Sequence, residues 1–253
     1  MTATQALPEL TDGLRKLKLS GMLEHLAPRN LEAVNNQMSY SEYLTLLVQD
    51  ELLTREQRHY ERRYRKAKFK GQKTIESFDF SFNPNINQAL VKDLANCRFI
   101  KEKYPVLIVG PCGTGKSHIA QALGHCALQK GYEVLCTTQS KLSEELQGAK
   151  AVNAYRRKIN ALTKIPLLII DDFGLKPLSS PQDEDLHELI AERYEQSSTI
   201  ITSNLALNEW GQIFNNKLLG VATIDRLQHN AYNLILEGKS FRTTQCNIKK
   251  HTK

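Results

Sequence analysis

The stretch Val106-Leu107-Ile108-Val109-Gly110-Pro111-Cys112-Gly113-Thr114-Gly115-Lys116-Ser117 leaves few folds open to this chain. Four apolar residues predict a short buried strand, glycines follow at 110, 113 and 115, and a helix-forming stretch begins at once. Glycine lets a backbone wrap closely around a bound group, and the unpaired N–H groups and dipole of a helix N-terminus favour negative charge. The spacing is that of the P-loop, G-x-x-x-x-G-K-[ST]. It predicts that Gly110, Pro111, Cys112, Gly113, Thr114, Gly115, Lys116 and Ser117 cradle a nucleoside triphosphate. Lys116 would reach the β- and γ-phosphates and the Ser117 hydroxyl would ligate Mg²⁺.

Strand and helix patterns alternate around this loop, with strands at 106–109, 133–138, 166–171 and 199–203 and helices at 116–129, 140–158 and 182–195. Such alternation predicts an α/β fold, a parallel sheet with helices on both faces, whose ligands sit beyond the carboxyl ends of the strands. Gly110, Asp171 and Ser203-Asn204 all fall at such ends. The run Pro166-Leu167-Leu168-Ile169-Ile170-Asp171-Asp172 is an apolar strand closing on two carboxylates, the Walker B arrangement that P-loop enzymes use to hold Mg²⁺ and polarise water. Asp171 is expected to assist the metal, and Asp172 to orient the attacking water.

The N-terminal part is different. Leu10, Leu14, Leu17, Met22, Leu23 and Leu26, then Tyr43, Leu44, Leu47, Val48, Leu52 and Leu53, recur at helical spacing, with breaks at Ser20-Gly21 and around Pro28, Asn30 and Asn35-Asn36. Ser39 or Ser41 is placed to cap a long helix ending near Lys68. A small helical domain over residues 1–70, a linker over 71–86 and a nucleotide domain over 87–253 are expected. Phe78, Phe80 and Phe82 alternate in the linker, either as an extended segment docking aromatic rings on the next domain or as an edge strand.

Charge is concentrated rather than spread. The chain carries a net +7, and residues 55–73 alone account for it, with nine basic side chains against Glu56 and Glu61. Arg55, Arg58, Arg62, Arg63, Arg65, Lys66 and Lys68 in that segment are the candidate contacts to a polyanion. Arg156, Arg157 and Lys158 form a second patch, a solvated face or an auxiliary contact. No apolar run approaches the roughly 20 residues that span a bilayer, and there is no signal-peptide pattern, so a cytoplasmic location is expected. Five scattered cysteines (Cys97, Cys112, Cys126, Cys136, Cys246) with no C-x-x-C pair suggest reduced thiols, and no zinc site is assigned.

Further segments carry a resemblance. The Walker pair, Thr199-Ile200-Ile201-Thr202-Ser203-Asn204, Thr223-Ile224-Asp225-Arg226-Leu227 and Glu237-Gly238-Lys239-Ser240-Phe241-Arg242 resemble an AAA+ ATPase. With Leu14 to Met22 and Phe78-Asp79-Phe80 they resemble more closely the IstB-like ATP-binding proteins of insertion sequences, relatives of DnaC-type helicase loaders. That resemblance implies ATP as the nucleotide, Asn204 as the sensor-1 residue, Arg226 as an arginine finger acting on a neighbouring subunit, and Arg242 as sensor 2. It also implies a transposition helper that binds double-stranded DNA, self-associates with ATP and serves a separate transposase. A DnaC-like helicase loader and a small-molecule P-loop kinase are the alternatives. AAA+ enzymes most often carry Glu after the Walker B Asp. Asp172 is one methylene shorter, which implies slow hydrolysis suited to a switch. Few residues follow Asn204, so a truncated lid is expected.

Overall fold

Val106 to Val109 are almost wholly excluded from solvent, as a strand covered on both faces must be. In the computed structural model, which describes residues 8–238, 240 and 241, this strand β1 (Val106–Val109) sits inside a five-stranded parallel sheet. The others are β2 (Val134–Thr138), β3 (Leu167–Phe173), β4 (Ser198–Ser203) and β5 (Tyr232–Ile235), in the order β2-β3-β4-β1-β5. β1 pairs with β4 and β5, in register Val109↔Ser203 and Val109↔Ile235. The loop after β1 thus starts where the strand order reverses, the position at which open α/β sheets bind ligands.

The helices of this part are α4 (Gln88–Leu94), α5 (Arg98–Glu102), α6 (Lys116–Gln129), α7 (Gln139–Ala151), α8 (Tyr155–Thr163), α9 (Gln182–Arg193) and α10 (Lys217–Gln228), with a 3₁₀ turn at Leu207–Ile213. On one face of the sheet Leu107, Val109, Leu168, Ile170 and Ile201 share a core with Leu142, Leu146, Ile159, Leu186, Leu189 and Trp210 of α7 to α9 and the 3₁₀ turn. α6 covers the other face, against β1 to β4. Where one helix is expected over 140–158 there are two, because Asn153 takes a left-handed conformation (φ 53°) after the α7 C-cap at Val152. Arg193, at the end of α9, is 1% exposed with no carboxylate partner among the described residues, and donates instead to Thr199 Oγ1 and to the carbonyls of Leu162, Ile165 and Ser198. It ties the start of β4 to the end of α8.

The chain divides into two compact units, Met1–Arg62 and Arg63–Lys253. The first holds α1 (Pro8–Lys16), α2 (Ser20–Asn35) and most of α3 (Tyr40–Ala67) around Leu14, Leu26 and Leu47. Ser39 caps α3 reciprocally: its hydroxyl accepts from Glu42 N–H at 3.3 Å, while Glu42 Oε2 accepts from Ser39 N–H at 2.8 Å. Pro28 does not break the chain as expected but lies inside α2. Only part of the leucine-rich stripe of α3 is core, since Leu44, Val48, Leu52 and Leu53 are exposed. Ser20-Gly21 is the start of α2, and Gly21 is required there, because a Cβ would lie 2.8 Å from the Asp50 carbonyl oxygen of α3. Asp50 forms a two-point ion pair with Arg29 at 2.8 and 2.9 Å. Glu51 Oε2 accepts from the backbone N–H groups of Gly21 and Met22 at 2.6 and 3.2 Å, and its other oxygen takes Arg55.

Candidate functional site

The loop from Gly110 to Gly115 needs its glycines because all three take positive φ and are closely approached by neighbouring chain. Gly110 (φ 148°) donates its N–H to the Ser203 carbonyl, and a Cβ on it would lie 2.0 Å from the Leu236 carbonyl oxygen just past β5. Gly113 (φ 81°) lies under Ser240, and Phe241 N–H reaches its carbonyl at 3.0 Å. Gly115 (φ 97°) caps α6 in the left-handed region that favours glycine. Thr114 Oγ1 and Lys116 Nζ both donate to the Pro111 carbonyl, at 2.9 and 2.6 Å, which closes the loop on itself.

Opposite the loop, β3 does something a regular strand cannot. Its register with β4 slips between Ile170 and Phe173, and Asp172 sits at φ 58°, the mark of a bulge that carries the extra residue. Successive strand residues otherwise face opposite sides of a sheet. The bulge instead leaves Asp171 and Asp172 lining one cavity of about 530 Å³ together with Cys112 to Ser117, Asn204 and Phe241. Asp171, 5% exposed, is held by two hydroxyls: Ser117 Oγ donates to its Oδ1 at 2.7 Å and Thr202 Oγ1 at 2.5 Å. Thr202 Oγ1 also accepts the N–H of Asp172 at 3.1 Å. Gln139 steadies the next turn, accepting from Gly174 N–H at 2.7 Å and donating to the Lys176 carbonyl at 3.0 Å. The Ser117 hydroxyl and the Asp171 carboxylate make a pair of hard oxygen donors of the kind Mg²⁺ takes.

The cavity draws in more than the expected residues. Lys70, Lys73, Phe78, Phe82, His118 and Gln121 also line it. The linker aromatics form turns, not an edge strand. Phe78 packs edge-on to Phe80 and His118, and Phe82 meets Phe241 at right angles with centroids 4.9 Å apart. Cys136 on β2 has its thiol pushed up to about 12, chiefly by burial and further by Asp171, against the opposing pull of Lys70 and Lys73. That thiol therefore feels the Walker carboxylate and both lysines.

Of the remaining expected residues, Arg242 lies outside the described residues. Arg226 is not brought to the P-loop of its own chain. It lies on α10, bonds the Ala222 carbonyl at 2.8 Å, and lines a separate cavity of about 260 Å³ with Tyr104 and Thr199, at the opposite ends of β1 and β4. Much of the basic segment is engaged within the chain. Arg55 pairs with Glu51, Arg58 bonds Ser20 Oγ, Lys66 pairs with Glu133 at 3.4 Å and Lys68 with Glu145 at 3.1 Å, whereas Arg62 is exposed. Arg65 is exposed too, and Arg63 is half-buried. In the second patch, Arg156 pairs with Glu188 and Lys158 with Glu145. No helix among the described residues is long and apolar enough to cross a membrane.

Comparison with known proteins shows the family and the fold. The family model described as IstB-like ATP binding protein matches residues 12–248. A Mycobacterium tuberculosis protein named as an ATP-binding protein in an insertion sequence is 37% identical over 93% of this chain and 94% of its own. The Pseudomonas aeruginosa protein named for insertion sequence IS21 is 34% identical over 92% of this chain and 88% of its own. Among solved structures, the DnaC helicase loader shares the fold with a TM-score of 0.52 at 23% identity, over 59% of this chain and 89% of its own. The replication initiator DnaA bound to AMPPCP and single-stranded DNA does so with a TM-score of 0.55 at 18% identity, over 70% of this chain and 55% of its own.

Proposed function

The chain belongs to the IstB-like ATP-binding family, and from that premise we propose that it is an ATP-driven, DNA-binding AAA+ regulator that assists a separate transposase in selecting and capturing target DNA. The observation that carries the reading is the convergence of Lys116, Ser117, Asp171, Asp172 and Asn204 on one cavity, in a chain whose whole net charge lies in a single upstream segment. In this mechanism Lys116 neutralises the β- and γ-phosphates, and Ser117 and Asp171 would hold Mg²⁺. That ion, when bound, supplies charge stabilisation at the phosphate oxygens. Asp172 orients the attacking water, with Asn204 hydrogen-bonding the water or the terminal phosphate. Asp172 is shorter than the usual Glu, so turnover is slow and the bound state lasts.

Arg226, beside the opposite ends of β1 and β4, completes the site of a neighbouring copy, with Arg242 acting in its own. ATP thereby orders an oligomer, duplex phosphates are gripped by Arg62, Arg63 and Arg65 with their neighbours in the basic segment, and hydrolysis releases the assembly. The test is DNA affinity and particle size measured with ATP, ADP and a slowly hydrolysed analogue. We expect larger particles and tighter duplex binding with ATP, both lost in Lys116→Ala. Equal values in all three states overturn the reading, and a preference for single strands moves it to a helicase loader.

A further inference from the structure

The segment that follows α3 runs antiparallel along α6 as a strap. Phe69 lies against Gly124, where a Cβ would come 2.8 Å from its ring, and stacks on His125 with centroids 4.4 Å apart. Nearer the P-loop, Gln121 Oε1 accepts from Lys70 N–H at 3.2 Å. Next, His118 Nε2 meets the Thr74 carbonyl at 2.9 Å and Ser77 Oγ at 3.2 Å. Phe78 ends the run beside Gly115, where a Cβ would lie 2.5 Å from its ring. Positions 115, 118, 121 and 125 share one helical face, so the strap follows a single stripe from the body of α6 down to the phosphate loop.

This path sets Lys70 and Lys73 on the wall of the nucleotide cavity. Among the described residues neither has a carboxylate partner, unlike Lys66 and Lys68, which pair with Glu133 and Glu145. Gln121 lines the same cavity and is 1% exposed, and its Nε2 has no hydrogen-bond partner among the described residues. A buried amide donor without an acceptor is costly in a folded protein and calls for an explanation. Asp171 and Asp172 crowd negative charge where a terminal phosphate would arrive, and two lysines on the same wall offset it.

We propose that Lys70, Lys73 and the Gln121 amide form a subsite for the terminal phosphate of a triphosphate held by the P-loop, so that the strap registers whether that phosphate is present. The proposal rests on the nucleotide reading above. A diphosphate ends one group short and leaves the subsite unfilled. The strap joins directly to the end of α3, so the same contacts that read the phosphate act on the helix that carries the basic segment.

The test compares dissociation constants of a slowly hydrolysed ATP analogue and of ADP for the full chain, for K70Q/K73Q, for K70R/K73R and for Lys116→Ala. In K70Q/K73Q the preference for triphosphate over diphosphate should fall at least about tenfold, the size of one charge-assisted hydrogen bond. K70R/K73R should keep it. An unchanged preference overturns the subsite. If duplex-DNA affinity and its salt slope drop instead, the lysines belong to DNA and the subsite is equally overturned. Wild-type nucleotide affinity in Lys116→Ala would overturn the P-loop reading itself, and the subsite with it.

Discussion

Thr202 shows how much one hydroxyl organises in this site. It donates to Asp171, accepts from the backbone of Asp172, and is 1% exposed at the end of β4. Thr202→Val keeps the shape, removes a donor from the carboxylate and strands the Asp172 N–H. We expect a loss of about 1–3 kcal/mol in unfolding free energy, the cost of a buried unsatisfied group. ATP turnover should fall by about tenfold or more as Asp172 loses its anchor. Phosphate release and denaturant titration check the two parts. The P-loop and the Asp171-Asp172 pair were legible because their chemistry dictates residue types at fixed spacing. Thr202, Gln139 and Gln121 were not, because a polar residue in a buried element has no partner visible along the sequence. The one signal was a threonine directly after Ile200-Ile201, the apolar pair of its strand.

At the scale of elements, the alternating patterns located four of the five strands and the helices between them, and local backbone chemistry decided where they stopped. β5 (Tyr232–Ile235) and the helix before it were not legible in the sequence, since four residues with a polar Asn233 among them carry little strand signal. α7 and α8 were merged in the sequence because nothing in an apolar period announces that Asn153 turns left-handed. The bulge in β3 was equally invisible, since its cause is the partner strand. In the helical unit, charged contacts join α2 to α3 beside the apolar cluster. Arg29 holds Asp50 below the usual carboxylate range; burial pushes Glu51 up, but Arg55 and the amides of Met22 and Gly21 outweigh it and leave it lowered. Carboxyls with lowered folded pKa values stabilise the fold above their unfolded values, about 3.9 for Asp and 4.3 for Glu, and that stabilisation is lost as the pH falls through the folded ones. Thermal melts by circular dichroism should therefore show this unit destabilised as the pH falls below about 4. Glu51→Gln should weaken it at neutral pH and flatten that acid dependence.

For the whole molecule, the parallel sheet sets two groups of residues at the two ends of its strands. The carboxyl ends of the strands carry the phosphate loop and the Walker carboxylates, while Arg226 lies at the opposite ends, outside its own site. Arg226→Ala is expected to bind nucleotide as the wild type does and to lose turnover by at least about a hundredfold, the scale on which arginine fingers act. Mixed with Lys116→Ala, it should recover part of the activity, because a chain with an intact P-loop then meets an intact arginine. No recovery on mixing, with wild-type turnover in Arg226→Ala alone, would remove the assignment.

The position of β1 also has a consequence for how the chain is made. Its two neighbours, β4 and β5, are encoded far downstream, and Gly110 is braced against the carbonyl of Leu236. During synthesis the phosphate loop emerges long before anything that can hold it, and pairings of such wide sequence separation form late and slowly. A nascent chain is therefore expected to brace its phosphate loop fully only once translation has passed β5.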